Sequence, residues 1–142
     1  MSNGYAGEIN VILNDIKYEM RIDIGSIMEF QSETGNDFMY CATRALNAYY
    51  KSRQDGLTVF DRSEMMCKAV SMSDAATLFW VCAKRKNKNV EFGEFQEACL
   101  FEGAMEESSG NLFRSYALKF VQLVEFATIG IQDIEKKKKL AA

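Results

Sequence analysis

Few residues in this chain are of types that do chemistry, and their spacing limits what that chemistry could be. Cys41, Cys67, Cys82 and Cys99 stand 26, 15 and 17 residues apart. A four-cysteine zinc site ordinarily brings its ligands in pairs two to four residues apart, so this spacing argues against one. Histidine is missing from the sequence, which removes the commonest acid–base group at neutral pH and the usual base for a cysteine nucleophile. The four thiols are therefore expected as buried, free side chains. The run Val90-Glu91-Phe92-Gly93-Glu94-Phe95 has the spacing of the outgoing half of an EF-hand calcium loop, with Glu94 as the twelfth ligand. The rest of such a loop would put Ala83 first, Arg85 third and Lys88 sixth, where glycine is required. Cations stand where carboxylates belong, so 83–95 is expected to be an ordinary helix–loop–helix.

Lys84, Arg85, Lys86 and Lys88 form the one internal basic cluster. No aromatic residues interleave with them for base stacking, so they are expected as a solvated helix end, where cations suit the negative pole of the helix dipole. The acidic pairs Glu94/Glu97 and Glu106/Glu107 read as surface charge. With no phosphate loop, nucleophile elbow or metal-ligand set, the expectation is a non-enzymatic protein with no cofactor and no metal.

The elements that would carry these residues are legible from periodicity. From Ile9 to Ile22, one face of a β-hairpin collects Ile9, Val11, Leu13, Ile16, Tyr18, Met20 and Ile22. The other face collects Asn10, Lys17, Glu19 and Arg21, with Ile12 as an apolar intruder. A two-residue turn at Asn14-Asp15 pairs Leu13 with Ile16, Val11 with Tyr18 and Ile9 with Met20, and a slip of one residue would undo that segregation. A lone hairpin is barely stable in water, so helices must cover its apolar face.

Ser26 followed by Glu29 predicts a capping box and a helix running to about Thr34, stopped by Gly35. Asp37 can cap a second helix with the inner stripe Phe38, Cys41, Ala42, Ala45, Leu46 and Tyr49. A third helix is expected over about Arg62 to Val70. A fourth opens at Ser73 with Ala76, Phe79, Trp80 and Ala83 inward and Leu78 and Cys82 beside them. A fifth covers Phe92 to Phe101 and stops at Gly103. The polar stretch Glu106 to Gly110 reads as a loop, and a last helix spans Leu112 to about Ile129. The fold class is thus α+β: an N-terminal two-stranded antiparallel hairpin followed by a bundle of five to six helices.

At 142 residues the chain can form one domain that buries about 70% of its unfolded surface. The expected organisation is a flexible start over 1–6 and a single domain over 7–131, with the hairpin at 8–22 and the helical part at 24–131. A charged tail follows over 132–142, and its end, Lys139-Leu140-Ala141-Ala142, reads as the translation of a cloning site. The apolar share of 48% and charged share of 26% are those of an ordinary globular protein. A net charge of −3 offers no field to gather nucleic acid or anionic lipid. No apolar run approaches a membrane span and the start is no signal peptide, so neither nucleic acid nor membrane is expected as a partner.

The run from Gly7 to Ile22, followed by Ile24 to Phe30 and Thr34-Gly35, resembles the start of phage tail assembly chaperones of the gene-transfer-agent type. That family shares a Gly-Glu strand, a tight turn, a second alternating strand, then a helix with an acidic residue and a glycine. The resemblance extends less specifically over Gly7 to Thr128. It implies a non-enzymatic protein of the host cytoplasm that keeps the helical tape-measure protein in solution while tail-tube protein polymerises around it, and that is absent from the finished particle. The alternative is a tube or connector subunit retained in the particle.

The unpaired edges of the hairpin suggest how a homo-oligomer would form, since an edge strand can add to another copy or to a client. The residues Ile9, Val11, Leu13, Ile16, Tyr18 and Met20 mark that proposed oligomerisation edge. Eight methionines and sixteen Phe and Tyr residues exceed what a core of this size requires. Tyr49, Tyr50, Met65, Met66 and Met105 are the candidates for a client surface that repacks against varied partners.

Overall fold

Asn14 and Asp15 close the hairpin with φ values of 51° and 64°. These left-handed angles belong to a type I′ turn, whose twist matches that of the strands and which Asn and Asp tolerate. The strands they join are β1 (Gly7–Leu13) and β2 (Ile16–Ile22). Their register pairs Leu13 with Ile16, Val11 with Tyr18 and Ile9 with Met20, as the alternation predicts. The computed structural model describes residues 7–108 and 116–141, with side chains for 7–102 and 116–128. Residues 1–6, expected as a flexible start, lie outside the described residues.

Among the described residues six helices follow: α1 (Ile24–Thr34), α2 (Phe38–Ser52), α3 (Val59–Ala69), α4 (Met72–Ala83), α5 (Phe92–Ser108) and α6 (Tyr116–Ala141). The molecule is therefore an α+β fold with an N-terminal antiparallel hairpin. Several boundaries differ from those expected. α1 is capped by Asp23, which accepts a hydrogen bond from the Ser26 N–H while the Ser26 hydroxyl accepts from the Asp23 N–H. The capping box thus sits one turn earlier than Ser26 and Glu29 would put it. α3 begins at a second capping box, Thr58 with Asp61, and α4 is capped by Ser71 rather than Ser73. α5 runs through Gly103, a helix-interior glycine costing about 1 kcal/mol, and takes Glu106 to Ser108 with it. Ser109-Gly110 and the expected start of the last helix at Leu112 lie outside the described residues. α6 continues beyond Ile129 to Ala141, so the charged tail up to that residue is helical backbone. Its Lys, Glu, Gln, Leu and Ala are strong helix formers.

α4 is the centre of the fold. It packs against α1, α5, α6 and β2, and Ala75 to Phe79 and Val81 to Ala83 are all buried. A helix covered on every side should be apolar all round rather than striped, which is how this one reads. On the hairpin, Val11, Leu13, Tyr18, Met20 and Ile22 are buried; β2 packs on α4 and β1 on α6. Ile16 departs from its expected place, since it adjoins the turn and stays 51% exposed. At the other end of β1, a Cβ on Gly7 would lie 2.5 Å from the Phe126 ring. The absent side chain is what lets α6 press its aromatic against the strand.

Candidate interaction surface

The basic cluster after α4 is exposed at Arg85, Lys86 and Lys88, as expected, but it is also paired. Three of its cations reach carboxylates elsewhere in the fold. Lys84 pairs with Glu29 of α1, Arg85 with Asp23 at 2.7 Å, and Lys86 with Glu8 of β1 at 2.9 Å. Arg21 approaches the same Asp23 oxygen at 3.2 Å. Asp23 has no exposed surface, and burial opposes its ionisation. The Ser26 amide, Arg85 and Arg21 outweigh that penalty and hold its carboxyl below the usual aspartate value. The cluster therefore ties the end of α4 to both the hairpin and the cap of α1.

Two acidic residues of α5 are likewise engaged. The Tyr18 hydroxyl donates to Glu94 at 2.6 Å, and burial together with that carboxylate pushes the phenol well above its ordinary value. Glu102, buried, accepts from the Asn14 N–H at 2.7 Å and so caps the hairpin turn. Glu94, the twelfth position of the EF-hand spacing, is thus occupied with a tyrosine. Among the described residues, no three His, Cys, Asp or Glu side chains are grouped to hold a metal ion, and no helix is long and apolar enough to cross a membrane. The cysteines are free: Cys41, Cys82 and Cys99 are buried, whereas Cys67 is exposed on α3, contrary to expectation. Burial pushes the Cys82 and Cys99 thiols up to about 12.

Of the proposed oligomerisation residues, Val11, Leu13, Tyr18 and Met20 point into the core and Ile9 is half-buried, leaving Ile16 alone well exposed. What the hairpin offers a partner is therefore its backbone edges and outer-face side chains. Among the described residues each strand pairs only with the other. Of the proposed client residues, three gather on or beside α2. The Tyr49 and Tyr50 rings meet edge to face at 5.5 Å. Arg53 lies over the Tyr49 ring, and the Tyr50 hydroxyl donates to Glu125 of α6 at 3.1 Å. Met65 lines a groove of about 350 Å³ between α2 and α3, with Ala48 and Ala69 also in its wall and Arg44, Lys51 and Lys68 at its rim. Tyr49 lines a second, of about 300 Å³, with Leu118 and Val121 of α6. Met66 drops out as a correction: it is buried in the core, because its position on α3 faces inward. The Met105 side chain lies outside the described residues.

The apolar exposure extends beyond these. Phe60 is 74% exposed and Tyr40 64%, and Met28, Met39, Leu100 and Phe101 also face solvent. Periodicity did not single them out, because a lone apolar residue on a polar face carries no pattern. Comparison with models of protein families, with curated proteins and with solved structures finds no match.

Proposed function

We propose that this chain is a phage tail assembly chaperone: a non-enzymatic, self-associating protein that binds the tape-measure protein in the host cytoplasm and promotes tail-tube assembly. The observation that carries the reading is the surface around α2. Met39, Tyr40 and Tyr50 stand exposed along one helix, with a groove on each flank lined by a mixture of apolar and charged side chains. A groove with soft side chains suits the apolar stripe of an amphipathic client helix, and methionine and tyrosine accommodate many sequences in turn. A tape-measure protein is a long helix that must be covered repeatedly along its length, which favours such tolerance over a tailored pocket. The hairpin-to-helix unit from Gly7 to Gly35, by which the chain resembles that family, adds support.

The alternative, a subunit retained in the particle, makes an opposite prediction about particle composition. Quantitative mass spectrometry of infected-cell lysate and of purified particles separates the two. The chaperone reading expects the chain in lysate and its absence from particles. Recovery in particles at a fixed ratio to tail-tube protein would replace it with the structural reading.

A further inference from the structure

We infer that two copies of this chain join through the outer edge of β2, in antiparallel register about Tyr18, to form a continuous four-stranded sheet. The inference deepens the self-association in the reading above by naming the edge, the occupant and the register.

The backbone comes first. In a hairpin closed by a two-residue turn, the flanking residues Leu13 and Ile16 form a hydrogen-bonded pair, and bonded and non-bonded pairs alternate from there. Lys17, Glu19 and Arg21 fall at the non-bonded positions, so their N–H and C=O groups point away from β1. Lys17 and Glu19 border a groove of about 490 Å³, which Ile16 and Tyr18 also line and whose other lining includes Lys86 and Val90 of the α4–α5 connection. An incoming strand would complete the hydrogen bonds that β2 leaves open.

Charge then selects the occupant. The outer face of β2 carries Lys17, Glu19 and Arg21, alternating in sign at every second residue. Two such strands laid antiparallel about Tyr18 put Lys17 opposite Glu19 of the second copy and Glu19 opposite Lys17. Each facing pair is of opposite sign, and the Lys17–Glu19 pairs occur at positions whose backbone groups face one another. Shifting the register by two residues in either direction puts Lys17 opposite Lys17 or Glu19 opposite Glu19. Like charges directly opposed in a sheet are destabilising. β1 offers no equivalent: its outward positions are Glu8, Asn10 and Ile12, which do not complement themselves. Lys86, which lines the groove, is held by Glu8 in an exposed pair, an interaction weak enough to yield to a strand.

The test is sedimentation equilibrium of the full chain and of four variants, with circular dichroism to confirm that each is folded. Lys17 and Glu19 are exposed, so substitutions there leave the core intact. K17E and E19K should each weaken the dimer about tenfold or more, because two attractive cross-strand pairs become repulsive. The double variant K17E/E19K restores opposite signs across the two-fold axis and should recover the dimer. An equimolar mixture of K17E and E19K should dimerise where neither does alone. A monomeric wild type at the highest concentration reached, or single variants that dimerise as well as wild type, would overturn the inference. So would a double variant that fails to recover. The fourth variant, Asn10→Pro, removes an outward N–H of β1. If it abolishes association while the β2 charge variants do not, the pairing edge belongs to β1: this inference fails and self-association stands.

Discussion

Asp23 concentrates more of the fold than any other single residue. Its carboxylate caps α1 and faces Arg21 of the hairpin and Arg85 of the α4 end. Removing one partner of a buried ion pair is costly, but both arginines keep a third or so of their side chains in water, which lowers the penalty. Asp23→Asn should cost about 1–3 kcal/mol in urea unfolding at neutral pH. Because the folded-state value is lowered from 3.8, this contribution is complete above the unfolded value. It is lost as pH falls below that toward the folded one. The gap between wild type and the Asn variant should therefore be constant from about pH 5 upward and shrink in acid. Glu102 offers a second test. Glu102→Ala leaves the Asn14 N–H at the turn without its acceptor and should cost about 1–2 kcal/mol, while Glu102→Gln keeps an acceptor and should cost less. The long-range partnerships among these, Asp23 with Arg85 and Glu102 with Asn14, were not legible in the sequence. They join residues as far apart as 14 and 102, and periodicity reports only which face a residue occupies, not what lies across from it.

Among the elements, the hairpin was read almost completely, register included. Its signal is local: two alternating runs and an Asn-Asp turn leave only one pairing that keeps the apolar set on one face. Asp15 at φ 64° gives that turn its test. Asp15→Val forces a β-branched residue into the left-handed region and should cost about 1–2 kcal/mol of stability, whereas Asp15→Gly should not. The helices were legible as elements but not at their ends. Ser26 and Ser73 are caps by type, but the caps used lie two or three residues earlier: Asp23 with Ser26, and Ser71 with Asp74, each closing a local hydrogen bond. α4 itself was under-read as a stripe, since a helix buried on all sides shows no periodicity to find.

At the scale of the whole molecule, composition names an apolar surplus without placing it. Tyr50 is exposed, Tyr49 is half-buried against the core, Met65 is half-buried, and Met66, beside Met65, is buried. One hundred degrees of helical rotation separates two methionines that composition treats alike. The packed interior also sets thiol reactivity. Cys67 should be alkylated rapidly in the folded protein, with Cys41, Cys82 and Cys99 protected until unfolding. Counting labelled thiols by mass spectrometry checks the burial pattern in one experiment. The fold places a compact core of α4 and the hairpin's inner face behind an exterior with exposed aromatic and methionine side chains, and on that exterior the proposed client binding rests. That claim is tested most directly by co-expressing the chain with the tape-measure protein from the same source and measuring how much of that client remains in the supernatant and co-purifies. A chaperone keeps the client soluble and bound, and the client precipitates when this chain is omitted. A client equally insoluble with and without it, with nothing co-purifying, would rule the chaperone role out.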